Sequence, residues 1–471
     1  MFKASNVHYE MAERVQTVNC NGINAIHDLV QRLGLVEDID RSLHLLKVHL
    51  PYHESDHVLN IAYNIVVGGV RLENIEQRRQ DETFLNGLDA QRIPDPTTAG
   101  DFTRRFGEAD IVTLQECFNR ARQALWKVQP NSFLKEAFLD VDGTIAETYG
   151  ECKAGIGMSY KGIWGYAPLI VSLANTKEVL YLINRPGQSA SHSGSVEWID
   201  RAVELVAPVA GTVTIRGDTD FTHTAHLDRW DQAGRRFILG MDAHPKAVGL
   251  AQALPASAWK QLERLPKYEI LTEPRQKAFR YKEQIVVEKE FKNQILVGED
   301  IAEIEYQPVK CGRKYRLVIV RKNISVQKGE RALFDEVRYF FYITNRKDKA
   351  EKIVGLANGR CDQENVIEQL KNGVNAMRMP VNDLLSNWAY MVMAALAWNL
   401  KAWYGLLMPN RERGLEVVRM EFRRFLHAII LLPCQVVRTG RRIVFRILGY
   451  NPWLRDFFAT WERLQRLVLV E

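Results

Sequence analysis

Five short apolar runs between residues 133 and 242 constrain this chain more than any other feature: KEAFLDVD, YAPLIVSLAN, VLYLIN, VTIRGD and RRFILGMD. Each is strand-length and is bounded by polar or turn-forming residues, and a helical stretch from Val196 to Val206 separates the third from the fourth. Runs this apolar suit strands covered on both faces, not half-exposed hairpins. The expectation is an α/β domain with a mixed sheet, built in the order three strands, a helix, two strands.

That order is the order of a ribonuclease H-like core, expected here over residues 131–264. Residues 1–130 read as a helical N-terminal domain, from the spacing in INAIHDLVQRLGLV, VLNIAYNIVVGGV and LQECFNRARQALW. Within it, Pro96-Thr97-Thr98 opens a helix that would put Asp101, Arg104 and Arg105 outward and Phe102 and Phe106 inward. This helix is a candidate for DNA recognition, with an ordinary amphipathic helix as the plainer alternative. Residues 265–345 are strand-rich (QIVVEKEF, AEIEYQPV, YRLVIVRKNISV, VRYFFYITN) and read as an inserted β domain. The core resumes in helices over 346–408, and 409–471 form an arginine-rich helical tail.

At 471 residues and 46% hydrophobic content the chain can fill the cores of about three domains. Six cysteines lie far apart with no C-x-x-C pair, which argues against a zinc finger or a disulfide framework and fits a reducing cytoplasm. MFKASNVHYEMAERV lacks an apolar signal core, and the runs from Trp388 to Leu400 and Phe425 to Val437 fall short of the ~20 residues that span a bilayer, so no membrane partner is expected. A net charge of +6 is modest, so a nucleic-acid partner has to be argued from where the charge sits.

The acids at the strand ends carry the chemistry. Aspartate is disfavoured within strands, and a buried unpaired carboxylate is costly, so acids closing apolar strands call for a partner such as a metal ion. In FLDVDGT, Asp140 and Asp142 are two apart and share a face; Asp218 and Asp220 repeat this in VTIRGDTDF. Taken singly, any of these acids serves equally well as a turn or helix cap. In RCDQENVIEQLKNG, Arg360, Glu364, Glu368 and Lys371 recur at helical spacing, placing a carboxylate between cations on one face. A solvated, salt-bridged face is the plain reading of that stretch alone.

Together these residues resemble bacterial insertion-sequence transposases of the DDE type. That family carries an Asp-x-Thr after a core strand, a second Asp at another strand's end, and a Tyr-x2-Arg-x3-Glu-x6-Lys helix. Asp142-Gly-Thr144, Asp218, and Arg360, Glu364 and Lys371 match in order, and Ala357 stands where the tyrosine belongs. The resemblance implies that Asp142, Asp218 and Glu364 hold two Mg²⁺ ions, with Mn²⁺ a substitute, Asp142 bridging them, for strand cleavage at transposon ends and strand transfer into target DNA. It also implies that Arg360 and Lys371 steady the end DNA. The partners would be double-stranded terminal inverted repeats and target DNA, the protein a nucleoid-associated homodimer in its synaptic complex.

Between Val309 and Gly329, Lys310, Arg313, Lys314, Arg316, Arg321, Lys322 and Lys328 occur without an acid, a pattern suited to phosphate contacts. Lysines guarding a strand edge explain it nearly as well. Two other functions compete. FLDVDGT also fits the first motif of haloacid-dehalogenase-like phosphatases, with Asp140 as nucleophile and Asp142 as general acid, although Thr222 stands where that family prefers an Asp. The other is a transposase-derived DNA-binding protein that no longer cuts.

Overall fold

A computed structural model describes residues 16–49, 51–150, 152–159, 161–263, 294–327, 330–439, 442–449 and 451–467. The run QIVVEKEF, Lys328 and the first fifteen residues lie outside them.

The N-terminal region is helical: α1 (Ile23–Arg32), α2 (Leu35–Ser42), α3 (Glu54–Val66), α4 (Pro96–Thr103) and α5 (Glu108–Lys127). Helix α4 starts where expected, with Pro96 in its first turn and the Asp95 carboxylate accepting from the Thr98 N–H at 2.9 Å. Then come β1 (Glu136–Gly143), β2 (Leu169–Leu173), β3 (Glu178–Ile183), α6 (Ser195–Val206), β4 (Thr212–Gly217) and β5 (Arg236–Met241). Every residue of β2 and β3 is buried, as apolar runs covered on both faces require.

Three long strands follow, β6 (Gln294–Tyr306), β7 (Tyr315–Gln327) and β8 (Glu330–Thr344). They do not stand apart as a separate sheet. Strand β8 pairs antiparallel with β5, Phe341 opposite Met241, so one nine-stranded mixed sheet runs from the short strand Lys260–Gln261 through β6, β7, β8, β5, β4, β1 and β2 to β3. Within it β1 is parallel to β4 and antiparallel to β2. Helix α6 packs on β1 to β4.

Beyond the sheet lie α7 (Ala350–Asn358), α8 (Cys361–Glu368), α9 (Leu384–Leu407) and α10 (Arg411–Arg419). The tail is not all helix as expected: β9 (Cys434–Thr439) and β10 (Arg442–Ile447) form a hairpin before α11 (Leu454–Gln465), and Gln16–Val18 pairs with β9. Cys434 and Val436 are buried with Gln435 between them half-buried, a two-residue period that suits a strand. Helix α9 is buried along nearly its whole length and packs against α3, α5 and β3, so both end regions share the core of the central sheet. At its centre Glu178, fully buried, accepts hydrogen bonds from Arg122 and Trp126 of α5, Thr176, and Trp403 of α9. Among the described residues no helix is long and apolar enough to cross a membrane.

Candidate active site

The parallel pairing of β1 and β4 sets Asp140 opposite Arg216, and the same register carried two residues further puts Asp142 and Asp218 at one level on neighbouring strand ends. Gly217 makes the second position possible. A Cβ there would stand 2.8 Å from the Phe221 Cβ, so a side chain would push the turn after β4 away. Asp218 also caps that turn, its Oδ1 accepting from the Asp220 N–H at 3.0 Å, as the capping reading of this acid expects.

Asp140 and Asp142 differ in role although they share a face. Asp140 is 1% exposed and takes two bonds from Arg216, at 2.6 and 2.7 Å. Arg216 also donates to the Leu356 carbonyl at 2.9 Å, which ties the end of α7 to the sheet. Gly359 gives the guanidinium room, since a Cβ there would lie 2.7 Å from Arg216 Nη1. This corrects the phosphatase reading. A carboxylate clamped in a two-bond pair and closed to solvent is no nucleophile for an incoming phosphomonoester.

Asp142 is the less enclosed of the two, its side chain 15% exposed against 1% for Asp140. Burial pushes its carboxyl up to about 6, Asp218 adds to the rise, and Arg360 opposes it. The Asp218 carboxyl is likewise raised by burial, with Arg360 again opposing. Arg360 Nη1 donates to Asp142 Oδ2 at 2.9 Å, so one guanidinium serves two acids that repel each other.

The structure thus brings together Asp142, Asp218 and Arg360. It does not bring Glu364 into that group: Glu364 is exposed on α8, and among the described residues no three acidic, histidine or cysteine side chains stand close enough to hold a metal ion. Its neighbours locate it nonetheless. Gln363 is buried, accepts from the Ser172 hydroxyl and donates to the Ile170 carbonyl at 3.4 Å, which lays α8 on β2 where Ile170 pairs with Asp142. Arg360 lies one turn before Glu364. Two turns after it, Lys371 lines a cleft of about 580 Å³ with Gly143 and Thr144. Lys371 sits in a π-helical turn, Gln369–Gly373, and its ammonium pKa is lowered by burial, with Lys161 adding to the fall and Glu368 opposing it. Ala357 lines a second cleft, of about 360 Å³, beside Asp218, Arg360 and Tyr339.

The basic strip is not an unopposed surface. Arg313 pairs with Asp231 at 2.6 Å, Lys314 with Glu305 at 3.7 Å, Arg316 with Glu303, Arg321 with Asp300 at 2.8 Å and Lys322 with Glu299 at 3.4 Å. Strand β6 supplies four of those five acids across the sheet. Phe102 on α4 and Phe106 beyond its end are buried as expected; Arg104, which closes the helix, pairs with Asp101, and Arg105 reaches the Leu45 carbonyl at 3.3 Å. In the tail, Arg413 and Arg424 both pair with Glu416.

Compared with known protein families, the chain matches the one described as transposase DDE domain group 1, over residues 16–469. Among solved structures, it is similar to a piggyBac transposase in a synaptic complex with hairpin DNA, at 10% identity and a TM-score of 0.37, over 88% of this chain and 84% of that one. No curated protein sequence matches it.

Proposed function

This chain belongs to the transposase DDE domain family, group 1, and on that premise we propose that it cleaves DNA at the ends of its own element and joins them to target DNA. DNA transposition is the process its family serves. The observation that carries the finer reading is the pair of acids, Asp142 and Asp218, level on adjacent parallel strand ends with both carboxyl pKa values raised.

Transposase DDE domains generally use divalent metal ions, and the charge of the two acids that do stand together supports one here. Two crowded carboxylates against the single guanidinium of Arg360 leave negative charge for a cation to neutralise. Oxygen donors without histidine or cysteine suit Mg²⁺, or Mn²⁺ in its place. Asp142 and Asp218 would hold the ions from the strand ends, and Glu364 would complete the set from α8. Bound there, the ions supply an activated nucleophile and stabilise the leaving oxygen of an in-line displacement. The chain's own work is positioning. The Arg216 bonds to Asp140 and Leu356 set α7 and α8 against the sheet, Gln363 fixes the rotation of α8, and Arg360 and Lys371 present cations to the end DNA on both sides of Glu364. This arrangement supports a ribonuclease H-like core, as does the order β3-β2-β1-β4-β5. Joining two ends at once requires at least a homodimer.

The ion pair on Asp142 and the exposed Glu364 favour one second reading, a DNA-binding descendant that does not cut. One assay separates them: purified protein, duplexes of its element ends, Mg²⁺, and detection of strand breaks. Asp142→Asn, Asp218→Asn and Glu364→Gln each abolish cleavage and keep binding to the terminal inverted repeats. Normal nicking by Glu364→Gln would remove the third ligand, and intact DNA with the unaltered protein would leave the non-cutting reading standing.

A further inference from the structure

The cleft beside Gly143 contains a charge that the fold does not balance. Arg185 follows β3 and is 8% exposed. Its Nε donates to the Ala167 carbonyl at 2.8 Å, and its Nη1 to the carbonyls of Ala190, Ser191 and Ser193 at 3.4, 2.9 and 2.7 Å. Those bonds hold the turn after Pro186. Nη2, by contrast, is buried with no hydrogen-bond partner, and among the described residues no carboxylate pairs with this guanidinium. Burial alone brings its pKa down to about 10. Buried charges are costly unless paired and hydrogen-bonded, so a cation bonded only to neutral carbonyls points to an anion that arrives from outside.

The direction of the orphan nitrogen identifies where. A Cβ built on Gly143 would stand 3.6 Å from Nη2 and 3.5 Å from the Ser191 Cβ, so the nitrogen lies against the residue that follows Asp142. The cleft there is lined by Thr144, Ser189 and Ser191 hydroxyls and by Lys371 and Arg378. Among the described residues Glu147 is its one carboxylate, and the Tyr149 hydroxyl donates to it at 2.7 Å. Hydroxyls and fixed cations together match a phosphate oxyanion.

We propose that this cleft seats a phosphodiester of the end DNA next to the one being cut, with the Arg185 guanidinium as its counter-charge. The proposal rests on Asp142 belonging to the cutting site. Because Nη2 is buried, the oxyanion reaches it as the turn carrying Ser189 and Ser191 gives way. The seat would fix the strand's register relative to Asp142, so that cleavage falls at one position.

The test is a methylphosphonate scan: end duplexes in which each phosphate near the cut is made neutral in turn, bound to the full-length protein over a range of salt. With the unaltered protein, one position close to the cut weakens binding roughly tenfold, the scale of one charged hydrogen bond. Arg185→Gln shows that loss on unmodified DNA, no further loss at that position, and a log–log salt slope shallower by about 0.9. Ser191→Asp supplies a carboxylate to the guanidinium while leaving the backbone bonds of Arg185 in place; it produces the same insensitivity, which covers the case in which Arg185→Gln fails to fold. If Ser191→Asp or a folded Arg185→Gln keeps the unaltered profile, the seat is refuted. So is it if inorganic phosphate raises the melting temperature through Arg185 while no DNA position responds, which would mark a small-anion site. Failure of the unaltered protein to nick would count against the cutting role of Asp142 instead, and the binding scan would still decide the seat.

Discussion

Replacing Arg360 by glutamine should destabilise the protein in chelator and make divalent ions more stabilising than they are for the unaltered chain. The Arg360–Asp142 contact is 2.9 Å, with the two side chains 19% and 15% exposed, so water screens it only in part. Unit charges about 4 Å apart at an effective dielectric near 20 attract by ~4 kcal/mol. Relief of arginine desolvation returns part of that, while the Asp142–Asp218 repulsion is left unmasked, so the net loss should be on the order of 2–3 kcal/mol. Melting shifts are ~2–4 °C per kcal/mol for 150–250 residues and shrink in proportion to length, to about 1 °C per kcal/mol for 471 residues, so a fall of roughly 2–3 °C is expected here. Thermal melts of both proteins, with EDTA and with millimolar Mg²⁺, provide the assay. Because a divalent ion takes over the task of neutralising the acids, the gap between variant and parent narrows in Mg²⁺. A gap of equal size in both buffers, or no gap in EDTA, would refute the idea that Arg360 stands in for a cation at this site.

Two other outcomes follow from the same structure. The Asp142 carboxyl, raised to about 6 from an ordinary 3.8, binds its proton more tightly folded than unfolded. Its contribution to stability is full below the ordinary value and is lost as pH climbs through about 6, by up to ~1.4 kcal/mol for each pH unit crossed. An ion must displace that proton, so Mg²⁺ affinity read by melting should weaken about tenfold per pH unit below pH 6, and equal affinity at pH 5 and pH 7 would count against Asp142 as a ligand. Glu178→Ala strands the buried Arg122 and frees two tryptophan N–H groups, costing roughly 3–5 kcal/mol; denaturant unfolding checks it, and a loss under about 1 kcal/mol would show that Glu178 does not tie α5 to α9.

Much of the core was legible because strands covered on both faces leave a plain signature: LIVSL and EVLYLI hold no exposed position to blur the apolar run. The levels of Asp142 and Asp218 were implicit in two acids closing two such strands. What stayed hidden depends on partners distant in sequence. The strip around Arg321 looked unopposed because Glu299, Asp300, Glu303 and Glu305 face it from another strand, and pairing register cannot be read from composition. Asp140 and Asp142 looked equivalent until Arg216 distinguished them. Arg185 left only a faint trace, an arginine directly after an apolar strand and before Pro-Gly, and its missing counter-charge exists only in three dimensions.

Helix α3 packs on α9, and the strand Gln16–Val18 on β9, so the earliest helices rest on surfaces made by the last part of the chain. At ~5–20 residues per second, translation from Val66 to Leu384 lasts roughly 15 to 60 s, during which the first apolar faces have emerged from the ribosome and their cover has not. A polypeptide interrupted before α9 therefore leaves the buried faces of α3 and α5 uncovered. Docking of α9 is the step that covers those faces, and the order of synthesis places it after the central strands have emerged.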